Sequence, residues 1–259
     1  KESALPRDNV ERLRSHFGAE RFLHAVMPID RLLEHLSYDR YLDNLARHGF
    51  FMISTPGFSA LSWHARTIVY CLERRIGHAA DGLTRELMHF PGHMDAVVEE
   101  IRALYRRFGI DYSNPVRDWD VPADRQFLDQ LIVDRHGFMP FGEEPARKTT
   151  GRYLFERGIL PHPDVKGSSM DRGMQHGCYP FVVFNLFAFW LYLAWRGYGD
   201  YEARMTGLFR EKAKHVGDLI EEHAAGRPGG PTSGPGGPTL GPGGPTLGPG
   251  GRLARLLEA

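Results

Sequence analysis

Cysteine is scarce in this sequence, and neither sign of charge is in excess. It has two cysteines, Cys71 and Cys178, in 259 residues, which is too few for a secreted scaffold built on disulfide bonds. The 32 Lys and Arg residues equal the 32 Asp and Glu residues, so the charge does not predict binding to nucleic acid or to an anionic membrane. Residues 1–17 are charged and lack the apolar core of a signal peptide. We therefore expect a cytoplasmic protein with no nucleic-acid or membrane partner.

Long apolar runs are also rare, and the one exception spans residues 179–195. It approaches the roughly 20 residues that a membrane span needs. However, Asn185 lies in its middle, and Pro180 stands where a helix would have its first turn. A helix that is apolar on all sides is also typical of the centre of a soluble helical protein. We predict a buried core helix here rather than a membrane anchor.

Strand signals are weak along the whole chain, whereas apolar residues recur at helical spacing, so the predicted fold class is all-α. One predicted helix begins with Ser54 or Thr55 as its cap and Pro56 in its first turn, and it ends at Gly77. Another stretch is interrupted at Pro91 and Gly92, giving one or two helices. The segments predicted to be helical are 8–26, 29–50, 54–77, 83–109, 126–136, 179–195 and 201–226.

Glycine and proline mark two regions that are not predicted to form regular helices. Residues 137–174 read as long loops with one short helix, and a loop region of this length is more often functional than idle. From Gly229 the heptads GGPTSGP, GGPTLGP and GGPTLGP follow one another and predict a linker. We expect a catalytic domain over 1–226, a linker over 227–251 and a short helix over 252–259. This tail is either dispensable or a tether that docks the last helix on a neighbouring subunit.

The 13 histidines are a mild excess, and three of them are candidates for chemistry. His64 falls on the apolar stripe of the predicted helix 54–77, together with Leu61 and Ile68. It is either a hydrogen-bonded core residue or a histidine whose burial tunes its pKa for proton transfer. His136 ends a predicted helix, and His176 lies at the mouth of the apolar run.

Several common catalytic patterns are missing from the sequence. It has no His-Glu-x-x-His motif, no pair of Glu-x-x-His motifs as in di-iron bundles, and no phosphate loop, dinucleotide fingerprint or nucleophile elbow. What remains is isolated histidines beside aromatic, apolar sequence, which suits a heme held by one imidazole in an apolar slot. The alternative is that the aromatic stripe is ordinary core. The aromatic residues that can line such a slot are Phe181, Phe184, Phe187, Phe189 and Trp190.

Five segments between residues 38 and 195 follow one another in an order that is also found in a known enzyme family. They are YDRYLDNLARH, FMISTPGFSALSWHARTIVYCL, FPGHMDAVVEEI, RKTTGRYL and FVVFNLFAFWLYL. Together they resemble the early helix, distal helix, Phe-x-Gly turn, Thr- and Gly-rich loop and late apolar helix of the tryptophan 2,3-dioxygenases. The resemblance implies a helical bundle around heme b, with long Gly/Pro-rich loops.

Two differences from the dioxygenases make the chain more similar to another branch of this histidine-ligated heme superfamily. Pro56 and Gly57 stand where the dioxygenases carry a His-Gln pair, and residues 159–178 form an added stretch before the apolar run. The chain is thereby similar to heme-dependent L-tyrosine hydroxylases of antibiotic biosynthesis. Some of these have two histidines spaced as His136 and His176 are, followed by a cysteine that bonds to heme. Cys178 follows His176 more closely than in that pattern, which puts a covalent link in doubt.

The resemblance implies specific roles for residues of this chain. His176 is the first choice for the heme axial ligand because it precedes the apolar run, and His136 is the alternative because the dioxygenase ligand comes before the RKTTGRYL loop. His64, or His136 if it is not the ligand, would serve in catalysis. Heme contacts are expected from Trp63, Phe181, Phe184 and Trp190. Binding of the substrate amino and carboxylate groups is expected from Ser54, Thr55, Arg66, Arg152, Arg172 and Asn185.

The activity implied is hydroxylation of L-tyrosine to L-DOPA with hydrogen peroxide, by a homo-oligomer. The loss of the His-Gln pair argues against the first alternative, an indole or tryptophan oxygenase of the same superfamily. The second alternative is a heme-binding helical protein without catalysis, and a non-heme iron oxygenase is a further one.

Overall fold

The computed structural model describes residues 5–83, 90–117, 155, 156, 158, 183, 184, 186–225 and 251–257. The chain divides into two compact units. The first comprises residues 1–27, 118–121 and 138–178, and the second comprises 28–117, 122–137 and 179–259. The linker predicted over 227–251 lies outside the described residues except at Gly251.

The described residues are mostly helical, which confirms the all-α prediction. Their α-helices are α1 Leu5–Phe17, α2 Asp30–Tyr38, α3 Tyr41–His48, α4 Thr55–Arg74, α5 Asp95–Arg107, α6 Leu193–Arg196, α7 Tyr198–Ala225 and α8 Arg252–Leu257. Ala19–Arg21 and Gly49–Ile53 are 3-10 helices, and Leu186–Tyr192 is a π-helix. Two short strands, β1 His78–Ala80 and β2 Asp111–Ser113, pair in parallel with His78 opposite Asp111.

Backbone conformation shortens two of the predicted helices. The helix predicted over 8–26 ends at Phe17, because Gly18 has a φ of 104° that a helix cannot contain. The run 29–50 is not one helix: Arg40 is left-handed with a φ of 53°, so α2 stops and α3 starts again at Tyr41. Apolar spacing therefore does not predict where a single residue with a positive φ ends a helix.

Helix α4 lies at the centre of the second unit. Ser54 occupies its cap position, as predicted, but its hydroxyl forms no capping hydrogen bond. The helix ends at Arg74, three residues before the predicted end at Gly77, because Arg75 is left-handed at a φ of 56°. A Cβ at Gly57 would lie 2.6 Å from Phe209 Cζ, so α4 approaches α7 closely at this point. Only glycine allows that approach without a shift of Phe209.

The apolar run is helical where it is described, but the prediction that it is buried on all sides is wrong. Phe184, Ala188, Phe189 and Leu193 are buried. The opposite face is exposed because only one side of the π-helix meets the core, where Phe51 contacts the Phe187 and Tyr192 rings. The exposed apolar side chains are Val183, Leu186, Trp190, Leu191 and Trp195, at 53%, 53%, 47%, 67% and 88% exposure. We call these five residues the open apolar face.

No helix among the described residues combines the length and apolar character needed to cross a membrane. The helices predicted over 126–136 and in the middle loop region lie outside the described residues, apart from a helical pair at 155–156. Helix α8, in the region predicted as a short C-terminal helix, packs on α2 and α7 and buries Leu253.

Candidate functional site

A partly buried histidine on α4 forms the centre of the candidate site. The helical spacing that places Leu61 and Ile68 in the core also turns His64 inward, as predicted. His64 Nδ1 lies 3.1 Å from the hydroxyl of Tyr105, which is on α5. His64 is therefore hydrogen-bonded inside the protein, as the first of its two predicted roles requires. Whether it can also transfer a proton depends on the groups around it.

Two stacked tyrosines enclose the imidazole. The rings of Tyr105 and Tyr112 lie 4.3 Å apart and only 9° from parallel. The His64 ring meets both edge-on, at 5.7 Å from Tyr105 and 5.4 Å from Tyr112. Tyr112 comes from β2, so the short sheet serves to bring a second aromatic ring to the histidine. We call His64, Tyr105 and Tyr112 the histidine–tyrosine cluster.

Polar residues anchor the outer side of this cluster. The Tyr112 hydroxyl donates to Asp81 Oδ2 over 2.5 Å, and Asn114 Nδ2 donates to Asp81 Oδ1 over 2.8 Å. Arg102 closes the network by donating to Asn114 Oδ1 through Nε and Nη2 at 3.1 and 2.8 Å. Asn114 is fully buried, and its partners use both ends of its amide. The network fixes Tyr112, and Tyr112 in turn fixes the plane of the His64 ring.

The surroundings keep His64 neutral. Burial lowers the pKa of His64, the Asp81 carboxylate opposes this shift, and the nearby His93 adds to it, so that the pKa is about 4. Burial also raises the pKa of Tyr105, with a smaller contribution from Cys71, so the phenol keeps its proton. When Nδ1–H donates to that hydroxyl oxygen, the free lone pair of the ring is on Nε2. Such an imidazole has one nitrogen occupied and the other available for a proton exchange with a ligand.

Besides His64, the structure places three predicted site residues of α4 and its cap, and their surroundings differ. The Trp63 side chain is exposed, at 59%. Arg66 is mostly buried and lies 3.8 Å from Glu73, while its Nε has no hydrogen-bond partner. The Ser54 hydroxyl is buried without a hydrogen-bond partner. The side chain of Thr55 lies outside the described residues, so its predicted role stays a prediction.

The remaining predicted site residues divide into two groups. Phe184 is fully buried 6.2 Å from the Phe187 ring, whereas Trp190 belongs to the open apolar face. The others lie outside the described residues: His136, Arg152, Arg172, His176, Cys178, Phe181 and Asn185. Within the described part of the chain, no three His, Cys, Asp or Glu side chains gather as a metal site.

Sequence reasoning did not find the partners of His64. Tyr105 lies on the buried face of α5, where helical spacing predicts core, and nothing in its sequence context indicates a hydroxyl beside a histidine. Tyr112, Asp81 and Asn114 come from two strands too short to give a strand signal. Asn114 stands between Ser113 and Pro115, a polar context that predicts a turn rather than a buried amide.

Comparison of the chain with protein-family models, with curated protein sequences and with solved structures gave no match.

Proposed function

We propose that this protein is a heme-dependent L-tyrosine 3-hydroxylase that uses hydrogen peroxide. One ring C–H bond becomes C–OH, giving L-DOPA, and the second peroxide oxygen leaves as water. The proposal rests on the resemblance of five segments to the heme aromatic oxygenases and on the geometry around His64. The observation that carries it is the neutral imidazole of His64, which is hydrogen-bonded to Tyr105 and enclosed by aromatic rings.

The open apolar face supports the presence of a flat apolar ligand. Large apolar side chains that remain exposed together mark a binding surface. They lie on and beside a π-helix, a form that is frequent at functional sites. Trp190, one of the proposed heme contacts, lies on this face, whereas Phe184 on the same segment is buried beneath it. His176 would hold the iron, with His136 as the alternative, and bound heme would supply the oxidising chemistry from peroxide.

The protein's own residues would move and hold a proton during this reaction. His64 is neutral at pH 7, so it can take a proton from peroxide and return one to the departing oxygen. Tyr105 acts as a positioning residue, since its hydroxyl fixes the tautomer and the ring plane of His64. Ser54, Thr55, Arg66, Arg152, Arg172 and Asn185 stay the proposed contacts of the amino-acid substrate.

The first test is an absorption spectrum of the full chain expressed with added heme precursor. A Soret band, followed by catechol formation from L-tyrosine and peroxide, would support the proposal. His64→Gln should keep the Soret band and lower turnover by about 100-fold or more, the usual contribution of a general acid–base group. His78→Gln is the matched control because the His78 side chain is 86% exposed. The spectra of His176→Ala and His136→Ala would show which of the two histidines is the axial ligand of the heme iron.

Other outcomes would overturn the proposal and identify the alternative. The absence of a Soret band would exclude heme. A kynurenine chromophore from tryptophan, without catechol from tyrosine, would indicate an indole oxygenase. A Soret band with no turnover of any aromatic amino acid would indicate a heme-binding protein without catalysis.

A further inference from the structure

A cleft of about 350 Å³ opens in the second unit beside the 3-10 helix Gly49–Ile53. Its size is within the range of pockets that bind small molecules. None of its lining residues belongs to the histidine–tyrosine cluster or to the open apolar face, so it is a separate feature. It is lined by Arg47, His48, Phe51, Arg204, Gly207 and Leu208.

One edge of the cleft carries two basic groups that share a single carboxylate. Arg47 Nη1 lies 3.3 Å from Glu211 Oε1. His48 Nε2 lies 3.2 Å from Glu211 Oε2 but is not aligned for a hydrogen bond. Burial lowers the pKa of His48, although Glu211 opposes that shift. Glu211 therefore balances Arg47 and leaves the His48 ring nitrogen without a well-directed acceptor.

Arg204, the other arginine of the lining, also shares its carboxylate with a second cation. Arg204 Nε lies 3.4 Å from Asp200 Oδ2, and Arg196 Nε lies 3.6 Å from the same oxygen. The Tyr192 hydroxyl donates to this oxygen as well. One carboxylate thus serves two guanidinium groups and a phenol, and its pKa is lowered by Tyr192 first and then by the arginines.

Cationic groups outnumber carboxylates around the cleft. Arg47 and Arg204 line it, Arg196 shares Asp200 with Arg204, and Lys212 interacts with Arg47 and His48, whereas the carboxylates beside these groups are Glu211 and Asp200. An anionic ligand would reduce this excess of positive charge, and a planar carboxylate suits the fork of an arginine best.

The floor of the cleft is apolar. Phe51 and Leu208 are buried, at 3% and 1% exposure. Gly207 also lines the cleft, and an added Cβ there would meet no atom within 4 Å. The space above Gly207 is therefore open, and a small apolar group can rest there against Phe51.

From these observations we propose that the cleft binds a small organic carboxylate with an apolar body. Its carboxylate would be held by Arg47 and Arg204, and its apolar part would lie over Gly207 and Phe51. The proposal does not depend on heme or on tyrosine hydroxylation, because it uses no residue of either.

Calorimetric titration of the full chain with 3-phenylpropanoate tests the proposal directly. The neutral isostere 3-phenylpropan-1-ol is the ligand control. We expect saturable one-to-one binding of the carboxylate and at least tenfold weaker binding of the alcohol. Equal binding of the two compounds, or no saturable binding of the carboxylate up to millimolar concentration, would overturn the proposal.

Two arginine variants locate the site. Arg204→Met and Arg47→Met should each weaken 3-phenylpropanoate binding about tenfold or more, since each removes one charge-assisted contact. Arg106→Met on α5 is the matched control, because Arg106 is exposed and does not line the cleft. Affinities unchanged in both cleft variants would overturn the assignment.

A variant that fills the cleft provides a second test of the site, in case an arginine variant does not fold. Gly207→Leu adds a side chain into the open space and should abolish binding, whereas the helix should tolerate it. A circular dichroism melt checks that each variant is folded. Undiminished binding by folded Gly207→Leu would place the ligand elsewhere and reject the cleft.

Discussion

His64 combines the features of a group suited to proton transfer with those of a well-held core residue. Its Nδ1 is hydrogen-bonded, its ring is packed edge-on against two tyrosines, and burial holds its pKa well below the usual value. A plain core histidine needs no second aromatic ring fixed by a carboxylate–amide network. The presence of Tyr112, Asp81 and Asn114 around His64 therefore favours a functional role for this histidine.

The lowered pKa of His64 predicts how stability depends on pH. Between the ordinary histidine pKa of 6.5 and the lowered value of about 4, the unfolded chain binds a proton at this residue that the folded chain does not. Stability from His64 is therefore present above pH 6.5 and is lost as pH falls toward 4. His64→Gln should show a shallower loss of unfolding free energy over this range than the wild type, measured by urea titration at several pH values.

The other buried histidines do not alter the comparison of wild type with His64→Gln. Burial also lowers the pKa values of His35, His48 and His215, and these groups remain in both proteins. His78→Gln, at an exposed position, should leave the wild-type slope unchanged. Parallel curves for wild type and His64→Gln would show that His64 titrates normally and is not held neutral.

At the scale of elements, α8 is tied to the bundle by one apolar anchor and a few polar contacts. Leu253 is 2% exposed, Arg252 lies 3.4 Å from Asp39, and Arg31 donates to the Arg255 carbonyl over 3.3 Å. The helices beneath it, α2 and α7, are joined by His35 and His215, whose Nε2 atoms lie 2.8 Å apart. The last helix thus docks on its own chain, and the two predictions for the tail, a dispensable segment or a tether to a neighbouring subunit, stay predictions.

Removing the anchor should release α8 without unfolding the bundle. Leu253→Ala should weaken docking by about 2 kcal/mol or more, the lower end for a buried leucine. Hydrogen exchange of residues 252–257 would rise, while exchange in α4 and α5 would not. Arg255→Ala is the control because its side chain is exposed. Equal protection of α8 in both variants would mean that Leu253 does not hold the helix.

At the scale of the whole molecule, the open apolar face is a group of large apolar side chains that are exposed together. It contains two tryptophans and three aliphatic side chains, with exposures from 47% to 88%. All of them except Val183 lie on the π-helix and α6, in the segment that we propose as a wall of the heme site. A ligand that covers this face stabilises only the folded chain.

Heme binding should therefore raise the stability of the whole protein. Free hemin at about 100 times its Kd should add about 2.7 kcal/mol to the free energy of unfolding, as mass action requires. Tryptophan fluorescence should be quenched at the same time. Trp195→Gln, at the most exposed position of the face, should weaken hemin binding, whereas Trp63→Gln tests the separate prediction for the α4 tryptophan. An unchanged melting temperature with hemin would contradict heme binding at this face.

The sequence by itself determined the all-α class, most of the helix positions and the inward direction of His64. These follow from local chemistry: apolar spacing fixes which helix face is buried, and Pro56 marks where α4 begins. Only the tertiary structure decided which groups meet His64, because Tyr105, Tyr112 and Asp81 come from separate elements. It also decided that one face of the apolar run is exposed and that Arg47 and Arg204 share a cleft. Hydrophobicity measures how strongly a side chain avoids water, but which neighbour covers it depends on how distant segments pack.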